Sequence, residues 1–91
     1  MVTIKEAENR FYVGETPENP SAQIEFQISE NVLTILSTEV SASLQGKGIG
    51  QQLVAYAVDF ARKNQMKIIP VCPYAKKQFE KHPDYSDVKV N

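Results

Sequence analysis

The apolar pattern of this chain changes period once, and three of its four glycines lie just at the change. Before it, Ile24, Phe26 and Ile28 alternate with Glu25, Gln27 and Ser29, the period of a half-buried strand. After it, Ile49, Leu53, Ala57, Phe60 and Ala61 recur at steps of three and four, the stripe of an amphipathic helix. A strand therefore gives way to a helix through Gln45-Gly46-Lys47-Gly48-Ile49-Gly50. Glycine there permits positive φ and close backbone approach. A helix start offers unpaired N–H groups and the positive end of the macrodipole, and Lys47 adds a charge. This combination suits a pyrophosphate. The competing reading is a turn that only packs helix against strand, since a short glycine cluster is a weak signal alone.

The other segments follow from the same rules. Phe11-Tyr12-Val13 reads as a short strand, and residues 14–21, with Pro17 and Pro20, as a loop. Glu30-Asn31 is a tight turn leading to a second β-rich run, Val32 to Val40. Asp59 and Lys63 stand one turn apart on the helix as a weak pair, and Asn64 stops it. Lys67 to Val71 is a further strand. Tyr74 to Lys81 is a short helix with Pro73 in its first turn, ended by Pro83, and Tyr85 to Val90 adds a small edge strand. The order β-β-β-α-β-α predicts an α/β protein with a mixed sheet: an antiparallel meander followed by β-α-β-α. The crossover between residues 32 and 71 is long enough for a parallel pair.

Ninety-one residues suffice for one domain, 1–91. A net charge of −1 gives no global field for nucleic acid or an anionic membrane, so any anion is captured locally. One cysteine excludes an intramolecular disulfide and fits a reducing compartment. Met1 to Glu6 carries no apolar leader core, and no stretch reaches the roughly 18–20 apolar residues of a membrane span. These features predict a small cytoplasmic protein. The lone His82 and Cys72, ten residues apart, do not make a metal site.

A P-loop needs Gly-Lys-Ser/Thr after a fixed gap, which is absent, and the dinucleotide fingerprint needs glycine where Gln51 stands. Instead, Gln45-Gly46-Lys47-Gly48-Ile49-Gly50 resembles the acetyl-CoA signature of the GNAT N-acetyltransferase superfamily. Thr38-Glu39-Val40, Ile69-Pro70-Val71-Cys72-Pro73-Tyr74 and His82-Pro83-Asp84-Tyr85 narrow the resemblance to its small single-domain members. That resemblance implies a minimal acyl-CoA N-acyltransferase fold whose strands ending near Val40 and Val71 splay around pantetheine. It implies N–H groups of Val40 and Ser41 at pantetheine and the acetyl carbonyl. It also implies that Gln45, Gly46, Lys47, Gly48, Ile49 and Gly50 hold the pyrophosphate of acetyl-CoA. The acceptor implied is an amine, and the missing early helices point to a protein or peptide acceptor or to a site completed by another subunit. Small members usually carry histidine before the Thr-Glu-Val triplet; here Ser37 stands there.

Three residues are candidates for chemistry. The resemblance places Cys72 near the thioester, to accept acetyl or orient the acceptor, although a lone cysteine commonly serves as a small buried hydrophobe. Glu39 is either buried, with a raised pKa suited to accepting an amine proton, or an exposed strand carboxylate. Tyr74 is implied as proton donor to the leaving thiolate, or it simply packs. His82 reads as a surface helix end and Lys76, Lys77 and Lys81 as a solvated face. A non-catalytic acetyl-CoA-binding or sensing module and a small interaction domain are the alternative functions.

Overall fold

The computed structural model describes residues 3–16 and 18–90; the expectations at Met1, Val2 and Pro17 lie outside the described residues. Five strands form one sheet in sequence order: β1 (Lys5–Ala7), β2 (Arg10–Val13), β3 (Ala22–Ser29), β4 (Val32–Val40) and β5 (Lys67–Pro70). The first four are antiparallel, and β5 joins β4 in parallel after helix α1 (Ile49–Lys63). Helix α2 (Pro73–Lys81) follows at once. The expected mixed sheet with two late helices is what forms.

Local chemistry explains the turns. Glu30 and Asn31 both have positive φ, 52° and 66°, between the paired residues Ser29 and Val32. That is the twist a two-residue hairpin demands. Asn9 does the same between β1 and β2 at φ 63°. Strand β1 was not expected from the sequence, because Lys5-Glu6-Ala7 carries no β-branched or aromatic residue; the Asn9 turn and pairing with β2 create it. Asn64 ends α1 as expected, its side-chain amide donating to the Phe60 carbonyl at 2.8 Å.

Both helices cover the same face of the sheet. Ile24, Phe26, Leu33, Ile35 and Ile68 from the strands meet Leu53, Val54, Ala57, Val58 and Ala61 of α1, and Ala75 and Phe79 of α2, in one buried core. Phe11 lies at its aromatic centre, with ring centroids 4.6 Å from Phe26, 4.7 Å from Tyr56 and 5.2 Å from Phe60. Phe60 itself is only half-buried. On the other face, among the described residues, no helix lies, and Leu36, Ile69 and Val71 are exposed among polar neighbours. Among the described residues no helix is long and apolar enough to cross a membrane.

Two expectations need correction. Asp59 faces Arg62 at 3.8 Å rather than Lys63, and the guanidinium's main partner is Asp87, at 2.9 Å. The segment from Tyr85 is not a strand. Pro83–Tyr85 forms a 3₁₀ turn, and only Lys89 bridges to Ile68, through Ile68 N–H to the Val88 carbonyl and Val90 N–H to the Ile68 carbonyl. Proline at the turn and the Arg62 clasp, which also donates to the Asp84 carbonyl, bend this segment back over α1 before a strand can extend.

A titration tests how β1 is docked. The Tyr56 phenol donates to Glu6, and that bond, with burial and the Glu6 charge adding to it, raises its pKa from 10 to about 12. A raised folded pKa means this contribution is complete below pH 10 and is lost as pH rises through about 12. Phenolate absorbance should therefore contain a late component that Tyr56→Phe removes; an unchanged titration in that variant would contradict the contact.

Candidate functional site

A cleft opens because β4 outlasts its parallel partner. Pairing runs from Val32–Lys67 to Ile35–Pro70 and stops. The Ile35 carbonyl then accepts from both Val71 and Cys72 N–H, each at 3.1 Å, as the chain turns into α2. Beyond Ile35, β4 runs on to Val40 with β3 on one side only.

A bulge decides what faces the opening. Phe26 pairs with Ile35 while Glu25 pairs with Ser37, so Leu36 is an extra residue in β4. The bulge shifts the alternation by one. Thr38 and Val40 therefore lie opposite Ile24 and Ala22 on the helix side, and Ser37 and Glu39 lie on the uncovered face. The cleft, about 470 Å³, is lined by Thr38, Val40, Leu44, Gln45, Gly46, Gly48, Ile49, Gly50, Gln51 and Tyr74.

The glycine turn forms its floor. Gly46 has φ 82° and Gly48, the N-cap of α1, φ 73°, so the turn holds two residues in the left-handed region. The first bond into the helix runs from Gln52 N–H to the Gly48 carbonyl at 3.1 Å. Among the described residues, no backbone acceptor takes the N–H groups of Gly46 and of residues 48–51. No side chain caps the helix, and its first turn holds no acidic residue. A row of free donors at the positive end of a fifteen-residue helix thus faces an open cleft. Gln45 steadies the approach, its side-chain amide donating to the Val40 carbonyl at 3.3 Å. Lys47 is exposed beside the turn.

The strand edge contributes less than expected. Ser41 N–H donates to the Ser21 carbonyl at 2.9 Å and is consumed inside the sheet. Strand alternation turns the Val40 N–H to the opposite, cleft side. Of the pair, only the Val40 N–H is left on the cleft side.

Tyr74, at the start of α2, lines the cleft directly over the start of α1. A Cβ on Gly50 would lie 2.8 Å from its hydroxyl. Desolvation by burial raises its pKa, so the phenol keeps its proton through neutral pH. Tyr74 is the one ionisable side chain among those lining the cleft. Cys72 is buried behind this wall rather than on it, its Sγ 3.7 Å from Thr38 Oγ1. Glu39 is exposed on the uncovered side, in a shallow groove with Pro20, Ser21 and Gln23. The buried form of Glu39 considered from the sequence does not occur, because the bulge sends it outward. Ser37 donates to Glu25 at 3.0 Å on that same face.

Sequence reasoning missed Thr38, Leu44 and Gln51 as cleft residues. Period-two counting back from Val40 finds Thr38; the 3₁₀ turn at Ala42–Leu44 that brings Leu44 to the rim has no such signal.

Comparison with known proteins agrees with this geometry. A family model described as GCN5-related N-acetyl-transferase matches residues 10–88. No curated protein matches. A solution structure of a GCN5-like putative N-acetyltransferase from Staphylococcus aureus is similar over 99% of this chain and 89% of that one, with 38% identity and a TM-score of 0.80. The ribosomal-protein-S18-alanine N-acetyltransferase from Escherichia coli shares the fold at TM-score 0.64 and 17% identity, over 84% of this chain and 53% of that one. An IAA acetyltransferase from Bacillus cereus does so at 0.58 and 19%, over 79% and 51%. The chain thus spans about half the length of these last two enzymes. With the family matched from the second strand to the last buried valine, this chain belongs to the GCN5-related N-acetyltransferases.

Proposed function

We propose that residues 1–91 form one domain that transfers acetyl from acetyl-CoA to an amine in the cytoplasm, with a protein or peptide as the preferred acceptor. The observation that carries this reading is the set of unpartnered N–H groups of Gly46 and of residues 48–51, all of which line the cleft. These donors fit a diphosphate, and the absence of an acidic residue in the first turn leaves them uncontested.

Acetyl-CoA supplies the acetyl thioester that the amine attacks, with CoA leaving as a thiol. The N–H row and Lys47 hold the diphosphate, and the Val40 N–H orients the carbonyl. Tyr74 retains a proton at Oη for the leaving sulfur. The amine approaches across β4 from the uncovered face, where Glu39 takes its proton through water. Cys72 supports Thr38 from behind and orients the wall rather than carrying acetyl. No nucleic acid or membrane takes part in this scheme.

The second reading, a non-catalytic acetyl-CoA sensor, is favoured by one observation: no carboxylate or imidazole lines the cleft. A titration followed by backbone amide NMR separates the cases. Acetyl-CoA should shift the signals of residues 46–51 and 38–40, and ATP should not. Turnover of polyamines or lysine peptides then identifies the enzyme, and binding without turnover identifies the sensor. If those amides stay unmoved, both readings are lost.

A further inference from the structure

The glycine turn contains two kinds of glycine. Gly46 and Gly48 have positive φ, and a Cβ at either would meet open space or, for Gly48, one flexible glutamine oxygen at 3.8 Å. Their requirement is conformational. Gly50 differs on both counts. It lies inside α1 with ordinary helical backbone, where alanine is the better residue by about 1 kcal/mol. A Cβ there would lie 2.8 Å from Tyr74 Oη, 2.9 Å from Cζ and 3.1 Å from Cε2. All three atoms belong to a single side chain, the one ionisable group lining the cleft.

We propose that Gly50 is a positioning residue for Tyr74: its bare Cα is the seat in which the phenol rests, and the missing methyl group fixes where the hydroxyl stands in the cleft. This inference rests on the acetyl-transfer reading above for its catalytic consequence, but not for the contact itself. Ordinary van der Waals contact begins near 3.4 Å, so a methyl group at position 50 displaces the hydroxyl from 2.8 Å by about 0.6 Å. The ring is 37% exposed and moves about its own side-chain bonds, not with its backbone. Tyr74 is the second residue of α2, between Pro73 and the fully buried Ala75, so its backbone is held by the core. The displaced ring therefore swings outward, away from the first turn of α1.

The backbone N–H of residue 50 survives the change to alanine. Pyrophosphate capture and tyrosine placement are thus separable at one position. An acid moved by about 0.6 Å loses roughly tenfold in rate, while binding of acetyl-CoA through the amides is little altered.

The experiment compares Gly50→Ala, Tyr74→Phe and the double variant, with Tyr74 followed by ring-labelled NMR in the free protein. Three results are expected together. The Tyr74 titration midpoint falls toward that of an exposed phenol in Gly50→Ala. Turnover drops roughly tenfold with KM for acetyl-CoA within about threefold. The double variant is no slower than Tyr74→Phe alone, because the seat has no purpose without the hydroxyl. An unchanged Tyr74 titration overturns the proposal, as does a loss of acetyl-CoA binding in Gly50→Ala that exceeds the loss of turnover. If Gly50→Ala fails to fold, Gly50→Ala/Tyr74→Ala must fold, since the obstructing ring is gone; failure of both variants also overturns it. Should the wild-type protein show no turnover at all, the acetyl-transfer reading falls, and the ring titration still decides the seat.

Discussion

Replacement of Gly48 by valine should weaken acetyl-CoA binding by about 10- to 100-fold while leaving the sheet and α2 in place. Gly48 is the N-cap of α1 with φ 73° and ψ 18°. A side chain in the left-handed region costs roughly 1–3 kcal/mol, and a β-branched one lies at the upper end. No neighbouring backbone obstructs a Cβ here, so the penalty is one of conformation. The chain has two responses. If the turn holds its shape, the strain appears as lost stability, on the order of 5–15 °C in Tm for a domain of this size. If it relaxes, the N–H row no longer converges and binding falls, each 1.4 kcal/mol being tenfold. Amide NMR titration and a thermal melt of the same variant show which occurs. Undiminished affinity together with an unchanged melt would mean that the turn is not the site.

Phe11→Ala is expected to cost about 3–5 kcal/mol, the range for deleting a buried aromatic ring. Phe11 is 1% exposed, and its ring touches Phe26 of β3 and both Tyr56 and Phe60 of α1. Marginal domains have only about 5–15 kcal/mol in total, so denaturant midpoints should fall by about a fifth or more. The functional consequence follows from placement. The ring fixes α1 to the sheet, and α1 carries the donors at its far end, so the variant should lose thermal stability and acetyl-CoA affinity together. Phe11→Leu, which refills much of the volume, should recover most of both. A denaturation curve within about 1 kcal/mol of the wild type would show that the aromatic cluster is not what holds the helix.

Much of this was legible because period and punctuation agreed. The alternation from Ile24 to Ile28, the stripe from Ile49 to Ala61 and Asn64 at its end each made a local statement that tertiary packing did not override. The signature at Gln45–Gly50 gave the family, and the family model and the S. aureus structure agree. What escaped was set by pairs distant in the chain. Leu36 becomes a bulge only because β3 pairs as it does, and that one residue sends Glu39 outward and Thr38 to the cleft. Ser41 looked available until the Ser21 carbonyl took its N–H. Gly50 looked like its two neighbours until Tyr74, twenty-four positions later, was found resting on it.

The way the last described residues fold back has a consequence for behaviour at high concentration. The outer margin of β5 would otherwise be an open template for a strand from another copy. Its N–H donors on that side reduce to Ile68, already taken by Val88, and Pro70, which has none to give. With the Asp87–Arg62 clasp holding the returning chain in place, that margin is closed to sheet extension by one proline and one short stretch of backbone.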